Sequence, residues 1–211
     1  MDVLKKIEEL KLIPVAVIED SENAVPLAKA LMEAGLPVIE ITFRTQAAAE
    51  SISLIRNGFP GMLVGAGTVL TIDQVDAAIF AGAEFIVTPG FNPTVVDYCV
   101  KNDYPIVPGL NSPTFIEWGL ERGLYVFKFF PADLSGGTKM LKSIFGPYPN
   151  ARFMPTGGVN DDTLIEYLKL DNVIACGGSW IVKKDLISSG NFKEIETRTK
   201  RALLLIKSAF E

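Results

Sequence analysis

A lone charge interrupts the run Tyr125-Val126-Phe127-Lys128-Phe129-Phe130-Pro131. Side chains alternate along a strand, so Val126, Lys128 and Phe130 share one face. If that face points into a protein interior, an amine with no carboxylate beside it in the run is costly to keep charged. Desolvation disfavours an ammonium, and the neutral amine is a nucleophile toward ketones. The competing arrangement turns Lys128 outward, its stem packed and its head in water. A second segment, Val38-Ile39-Glu40-Ile41-Thr42-Phe43-Arg44-Thr45, sets Glu40, Thr42 and Arg44 on one face of an otherwise apolar strand. Glu40 and Arg44 either pair with each other structurally or join Lys128 as a working set. That set would be a carboxylate to move protons, an amine to form an iminium and a guanidinium to hold a substrate carboxylate.

Two glycine-rich segments follow the last expected strands: Thr156-Gly157-Gly158-Val159-Asn160 and Gly177-Gly178-Ser179. A Gly-Gly pair is commonly just a tight turn. Placed after the seventh and eighth strands of a barrel, two of them can present backbone N–H groups to a phosphate, with the Ser179 hydroxyl as a further donor. Thr68 is a candidate donor to a carboxylate, and Pro89 and Phe130 are candidate pocket walls; ordinary turn and core packing compete in each case. Gly65-Ala66-Gly67 lacks the third glycine of a dinucleotide fingerprint. Trp118 and Trp180 read as packing residues, and Asp133, Asp161 and Asp162 as acids at helix starts.

Composition narrows the chemistry. The chain has no histidine, which is the usual ligand of catalytic zinc and the usual base near neutral pH. A metal-dependent aldolase or a Ser/His/Asp hydrolase is therefore excluded, and proton transfer falls to Glu, Asp, Lys, Tyr, Cys or water. No metal or other cofactor is expected. A net charge of −5 argues against nucleic acid, although a few local cations still suffice for an anionic small molecule. Cys99 and Cys176 lack metal or redox spacing and read as reduced buried thiols. The N-terminus carries no signal-type apolar stretch, and the early apolar run over 12–18 is too short to span a bilayer. These features predict a cytoplasmic protein without a membrane partner.

The elements that must position these residues alternate regularly. Apolar, β-branched runs predict strands over 13–18, 38–44, 62–66, 85–88, 106–107, 126–130, 152–156 and 173–176. Amphipathic segments predict helices over 24–34, 47–55, 72–81, 94–102, 114–122, 139–144, 162–168 and 192–210. Strands this continuously apolar, separated by helices, imply a parallel sheet buried on both faces. About eight such units in 211 residues predict one α/β domain over 1–211, a single (β/α)8 TIM barrel. Glycine and proline cluster after the strands, at the carboxyl ends where barrel enzymes carry their sites. The echo of 88–93 in 107–113 fits two successive strand-to-helix turns.

Five of these motifs, in this order, resemble the bacterial 2-keto-3-deoxy-6-phosphogluconate (KDPG) / 4-hydroxy-2-oxoglutarate (KHG) aldolase family. They are Glu40-Ile41-Thr42-Phe43-Arg44-Thr45, Gly65-Ala66-Gly67-Thr68-Val69-Leu70, Phe127-Lys128-Phe129-Phe130-Pro131-Ala132, Pro155-Thr156-Gly157-Gly158 and Gly177-Gly178-Ser179-Trp180. The resemblance implies a metal-free class I (Schiff-base) aldolase acting on a 2-keto acid and a phosphorylated aldehyde, assembled as a homotrimer. It implies Lys128 as the iminium-forming residue, Glu40 as the acid–base, and Arg44 and Thr68 as the carboxylate site. It likewise implies Gly157, Gly158, Gly178 and Ser179 as the phosphate site, and Thr156 as a mark of the gluconate-type rather than the galactonate-type substrate. The loops at 91–93 and 111–113 depart from the family pattern, which bears only on fine substrate preference. The residues also admit a phosphosugar isomerase or epimerase, with Glu40 as base and Lys128 polarising a carbonyl, and a non-catalytic phospho-ligand sensor.

Overall fold

Strand β1 (Leu12–Ala16), β2 (Val38–Thr42) and β3 (Leu63–Gly67) are buried along their whole length, as strands covered on both faces must be. The computed structural model describes residues 3–210, and its strands continue with β4 (Phe85–Val87), β5 (Ile106–Val107), β6 (Gly109–Leu110), β7 (Val126–Phe129), β8 (Arg152–Pro155) and β9 (Cys176–Gly178). Between them run α1 (Val3–Leu10), α2 (Ala24–Glu33), α3 (Ala48–Gly58), α4 (Ile72–Phe80), α5 (Pro93–Lys101), α6 (Pro113–Glu121), α7 (Gly137–Phe145), α8 (Leu164–Leu168), α9 (Lys184–Ser188) and α10 (Phe192–Phe210).

The fold is α/β with parallel pairing. Six strands lie in the order β5-β4-β3-β2-β1-β9, and three more in the order β6-β7-β8. The segment 106–110 is shared between the two groups: Ile106 and Val107 pair with β4, whereas Gly109 and Leu110 pair with β7. Pro108 divides it because proline has no N–H for a ladder, yet its carbonyl accepts from the Lys128 N–H at 2.9 Å. Between the β8 and β9 segments pairing reduces to isolated parallel bridges, Phe153 of β8 with Val173 before β9 and Thr156 just after β8 with Gly177 of β9.

Helix starts follow local chemistry. Thr71 caps α4 by accepting from the Gln74 N–H, and Asn92 caps α5 by accepting from the Thr94 N–H, with Pro93 at the first turn. The two echoing turns are tied together: the Thr88 hydroxyl donates to the Gly90 carbonyl and accepts from the Gly109 N–H. On β7 the odd positions Phe127 and Phe129 are fully buried and pack around Phe153, one ring tilted and one edge-on, at centroid separations of 6.1 and 6.4 Å. Such aromatic pairs contribute about 0.5–1.5 kcal/mol beyond their area. That packing commits the opposite face of β7, bearing Lys128, to the other side.

The structure corrects four expectations. The last strand is Cys176–Gly178, not 173–176, so Gly177 and Gly178 are strand residues paired with Ile13 and Pro14 rather than a turn. Gly67 likewise lies within β3, one residue beyond the expected 62–66 strand that already held Gly65. In these cases glycine serves close approach, because a Cβ on Gly177 would fall 2.4 Å from the Thr156 hydroxyl oxygen. Asp133 precedes α7 by four residues instead of opening it, and α1 and α9 were not anticipated, α9 being only five residues long. Cys99 and Cys176 are free and buried; burial pushes the Cys99 thiol up to about 11 and the Cys176 thiol further still. No helix of the described residues is long and apolar enough to cross a membrane.

Candidate active site

A cavity of about 520 Å³ opens at the carboxyl ends of the strands. Lys128 lies in its wall at 4% exposure, and Phe130 beside it places its ring 5.6 Å from the amine. Lys128 is therefore turned inward, and the snorkelling alternative is not realised. In space it does have a carboxylate neighbour. Glu40, on β2 and 88 residues away in the chain, accepts from the Lys128 Nζ at 3.2 Å through Oε1. Glu40 is fully buried, lies outside the residues that line the cavity, and leaves Oε2 without a hydrogen-bond partner among the described residues. Its pairing with Lys128 replaces the Glu40–Arg44 pair that the strand pattern allowed.

The strands level these groups. Glu40 is in register with Val15 and Gly65, and Lys128 with Gly109 and Met154. One end of the cavity gathers Arg44, exposed just past β2, together with Thr68 and Pro89. Thr68 adopts a φ of +50°, a left-handed conformation that costs a β-branched residue about 1–3 kcal/mol and is typical of functional positions. The Thr42 hydroxyl also lines this cavity, buried and without a partner among the described residues.

The other end is formed by Thr156, Gly157, Gly158, Gly178 and Ser179. Gly157 and Gly158 take φ values of +94° and +88°, which glycine tolerates, and a Cβ on Gly158 would meet Asp133 at 2.3 Å. The structure thus brings every anticipated site residue to one cavity or, for Glu40, directly against it. Lys183, Lys184 and Asp185 at the same end were not anticipated. Their signal was a Lys-Lys pair four residues beyond the Ser179 turn.

The family model for KDPG and KHG aldolases matches residues 3–198. The chain belongs to the KDPG and KHG aldolase family. It is 46% identical over 205 residues to the 2-dehydro-3-deoxy-phosphogluconate aldolase of Haemophilus influenzae, covering 97% of both chains. A solved KDPG aldolase of Legionella pneumophila, holding pyruvate as a covalent carbinolamine captured at low pH, superposes with a TM-score of 0.92 at 40% identity, covering 96% of this chain and 98% of that one. The 2-keto-3-deoxy-6-phosphogluconate aldolase of Zymomonas mobilis with 3-phosphoglycerate gives a TM-score of 0.87 at 37% identity, covering 94% of each chain. An amine and a carboxylate buried side by side are the kinds of group that a Schiff-base route requires.

Proposed function

We propose that this protein is a class I aldolase that cleaves 2-keto-3-deoxy-6-phosphogluconate to pyruvate and D-glyceraldehyde 3-phosphate, and 4-hydroxy-2-oxoglutarate to pyruvate and glyoxylate. The observation that carries the reading is the Lys128–Glu40 pair, buried beside a cavity with a cationic, hydroxyl-lined end and a glycine-turn end.

In this mechanism Lys128 attacks the 2-keto carbon to give a carbinolamine, which loses water to form an iminium. The iminium is the electron sink for the bond between carbons 3 and 4. Glu40 accepts the carbon-4 hydroxyl proton as that bond breaks, so the aldehyde leaves and an enamine remains. Return of the proton to carbon 3 and hydrolysis release pyruvate and restore the amine. One carboxylate serves both directions, which suits a chain without histidine. Arg44 and Thr68 hold the carboxylate of the pyruvate half, and Phe130 and Pro89 wall it. The backbone of Gly157, Gly158 and Gly178 with the Ser179 hydroxyl binds the phosphate, and Thr156 faces the middle of the substrate.

The scaffold is read as one domain, a closed (β/α)8 barrel in which 106–110 forms a single kinked strand. The Lys128–Pro108 hydrogen bond and the two β8–β9 bridges support that closure. A cytoplasmic homotrimer completes the reading; Phe80 and Leu134, at 96% and 87% exposure, offer apolar surface for subunit contacts.

Borohydride reduction in the presence of pyruvate tests the chemistry. The wild type should gain a covalent adduct located at Lys128, and Lys128→Ala should gain none. Glu40→Gln should still trap pyruvate while retro-aldol turnover falls by about 10²–10⁴. A wild type that never traps, or a Lys128→Ala that does, would overturn the mechanism. An adduct also separates this route from an isomerase that only polarises a carbonyl.

A further inference from the structure

The Gly157-Gly158 turn and the end of strand β9 at Gly178, the two backbone segments of the phosphate end, are joined outside the cavity lining. The Trp180 indole lies directly against Gly178, where a Cβ would fall 2.0 Å from the ring. Its Nε1–H donates to Asp161 Oδ1 at 2.8 Å. Asp161 in turn follows the Gly157-Gly158 turn, whose Gly158 carbonyl accepts from the Asn160 side chain at 3.3 Å. Helix α10 secures both partners from outside: Arg201 pairs with Asp161, and Arg198 donates to the Trp180 carbonyl at 3.1 Å. None of Asp161, Trp180, Arg198 and Arg201 lines the main cavity.

We propose that Asp161 is a positioning residue: by accepting the Trp180 indole N–H it fixes the spacing between the Gly157-Gly158 turn and the end of β9, and so sets the preference for phosphorylated over unphosphorylated 2-keto acids. The inference rests on the reading of these two segments as the phosphate site. A dianion held by backbone N–H groups on two separate segments is sensitive to their separation, because each donor must stay within about 2.7–3.1 Å of its oxygen. The small Schiff-base half of the substrate sits elsewhere in the cavity and does not sense that spacing.

Electrostatics alone predicts the opposite sign, which makes the test decisive. Removing an acidic side chain near a phosphate should tighten binding, whereas removing the clamp should loosen it. Asp161→Ala should therefore raise the KM for 2-keto-3-deoxy-6-phosphogluconate about fivefold, the worth of one hydrogen bond. Its kcat, its KM for 4-hydroxy-2-oxoglutarate and its borohydride trapping of pyruvate should stay at wild-type values. Trp180→Phe keeps an aromatic ring at this position but loses the donor, so it should show the same split. The double variant should be no worse than either single one. Asp161→Asn, which keeps an acceptor, should restore the KM to within about twofold of wild type.

A lowered or unchanged KM in Asp161→Ala, or equal rises for both substrates, would overturn the proposal. So would an Asp161→Asn as impaired as Asp161→Ala, which would move the role to the Arg201 ion pair. Loss of pyruvate trapping in the wild type would instead sink the aldolase reading itself, so the two failures are distinct.

Discussion

Gly67 closes over the carboxylate of Glu40: a Cβ built on Gly67 would fall 1.8 Å from Glu40 Oε1. Both residues lie in buried strands that pair in register, Glu40 with Gly65 and Thr42 with Gly67. The oxygen at issue is the one that accepts from the Lys128 amine. An absent side chain on β3 is thus what allows the Glu40 carboxylate on β2 to reach the Lys128 amine on β7.

Gly67→Ala should accordingly fold and fail. Gly67 has no positive φ, so its backbone accepts alanine, and the clashing atoms, Cγ, Cδ and Oε1, all belong to the Glu40 side chain rather than to backbone. The Glu40 carboxylate must swing away from Lys128. A displacement near 1 Å at such a group can cost on the order of 10²-fold in rate. We expect retro-aldol kcat to fall by about that factor while the far-ultraviolet circular dichroism spectrum is unchanged. Wild-type kcat in this variant would show that the Glu40 position is not restrictive.

Lys183 offers a second test, at the opposite end of the cavity. It lines the cavity with Gly157, Gly158 and Ser179, the end proposed for the phosphate, and forms no ion pair among the described residues, whereas its neighbour Lys184 is paired with Glu19 at 2.7 Å. Both are exposed, so a contribution to phosphate binding is modest and screened by salt. Lys183→Ala should raise the KM for the phosphorylated substrate about threefold at low ionic strength, with the difference shrinking as salt is added. Lys184→Ala should change it less, because Glu19 already balances that charge. Equal effects from the two variants, independent of salt, would argue against a direct role for Lys183.

Much of this site was legible because its signals are local. A charge inside an apolar run, as at Lys128, and alternating polar positions, as at Glu40 and Thr42, can be read from spacing alone. The pairing of Lys128 with Glu40 could not, since it crosses 88 residues and depends on which strands become level. Glycine misled in the same way. Gly157 and Gly158 are turn residues, as expected, but Gly67, Gly177 and Gly178 sit in strands where their missing Cβ admits a carboxylate, a hydroxyl and an indole. The sequence pattern of a tight turn and of a close approach is identical, and only the neighbour distinguishes them. Trp180 and Asp161, read as a packing residue and a helix-start acid, are joined by a hydrogen bond that no local rule anticipates.

Helix α10 carries the prediction that concerns stability. Glu196 accepts from Lys193 at 2.8 Å and from Lys200, one turn away on either side. The hydrogen bond from Lys193, then that from Lys200, hold its carboxyl well below the usual range, at about 2. A depressed native value means that the carboxylate stabilises the fold above the ordinary titration range near 4.5, and that this stabilisation is lost as the pH falls toward 2. Glu196→Gln should therefore lower Tm by about 1–2 °C at pH 7, the scale of an ion-pair network whose lysines are exposed, in a chain of this size. The gap from wild type should narrow between pH 5 and pH 3, because the wild type loses what the variant never had. Thermal scans of both proteins across that range check it. A gap that stays constant or widens on acidification would show that Glu196 acts through packing rather than through charge.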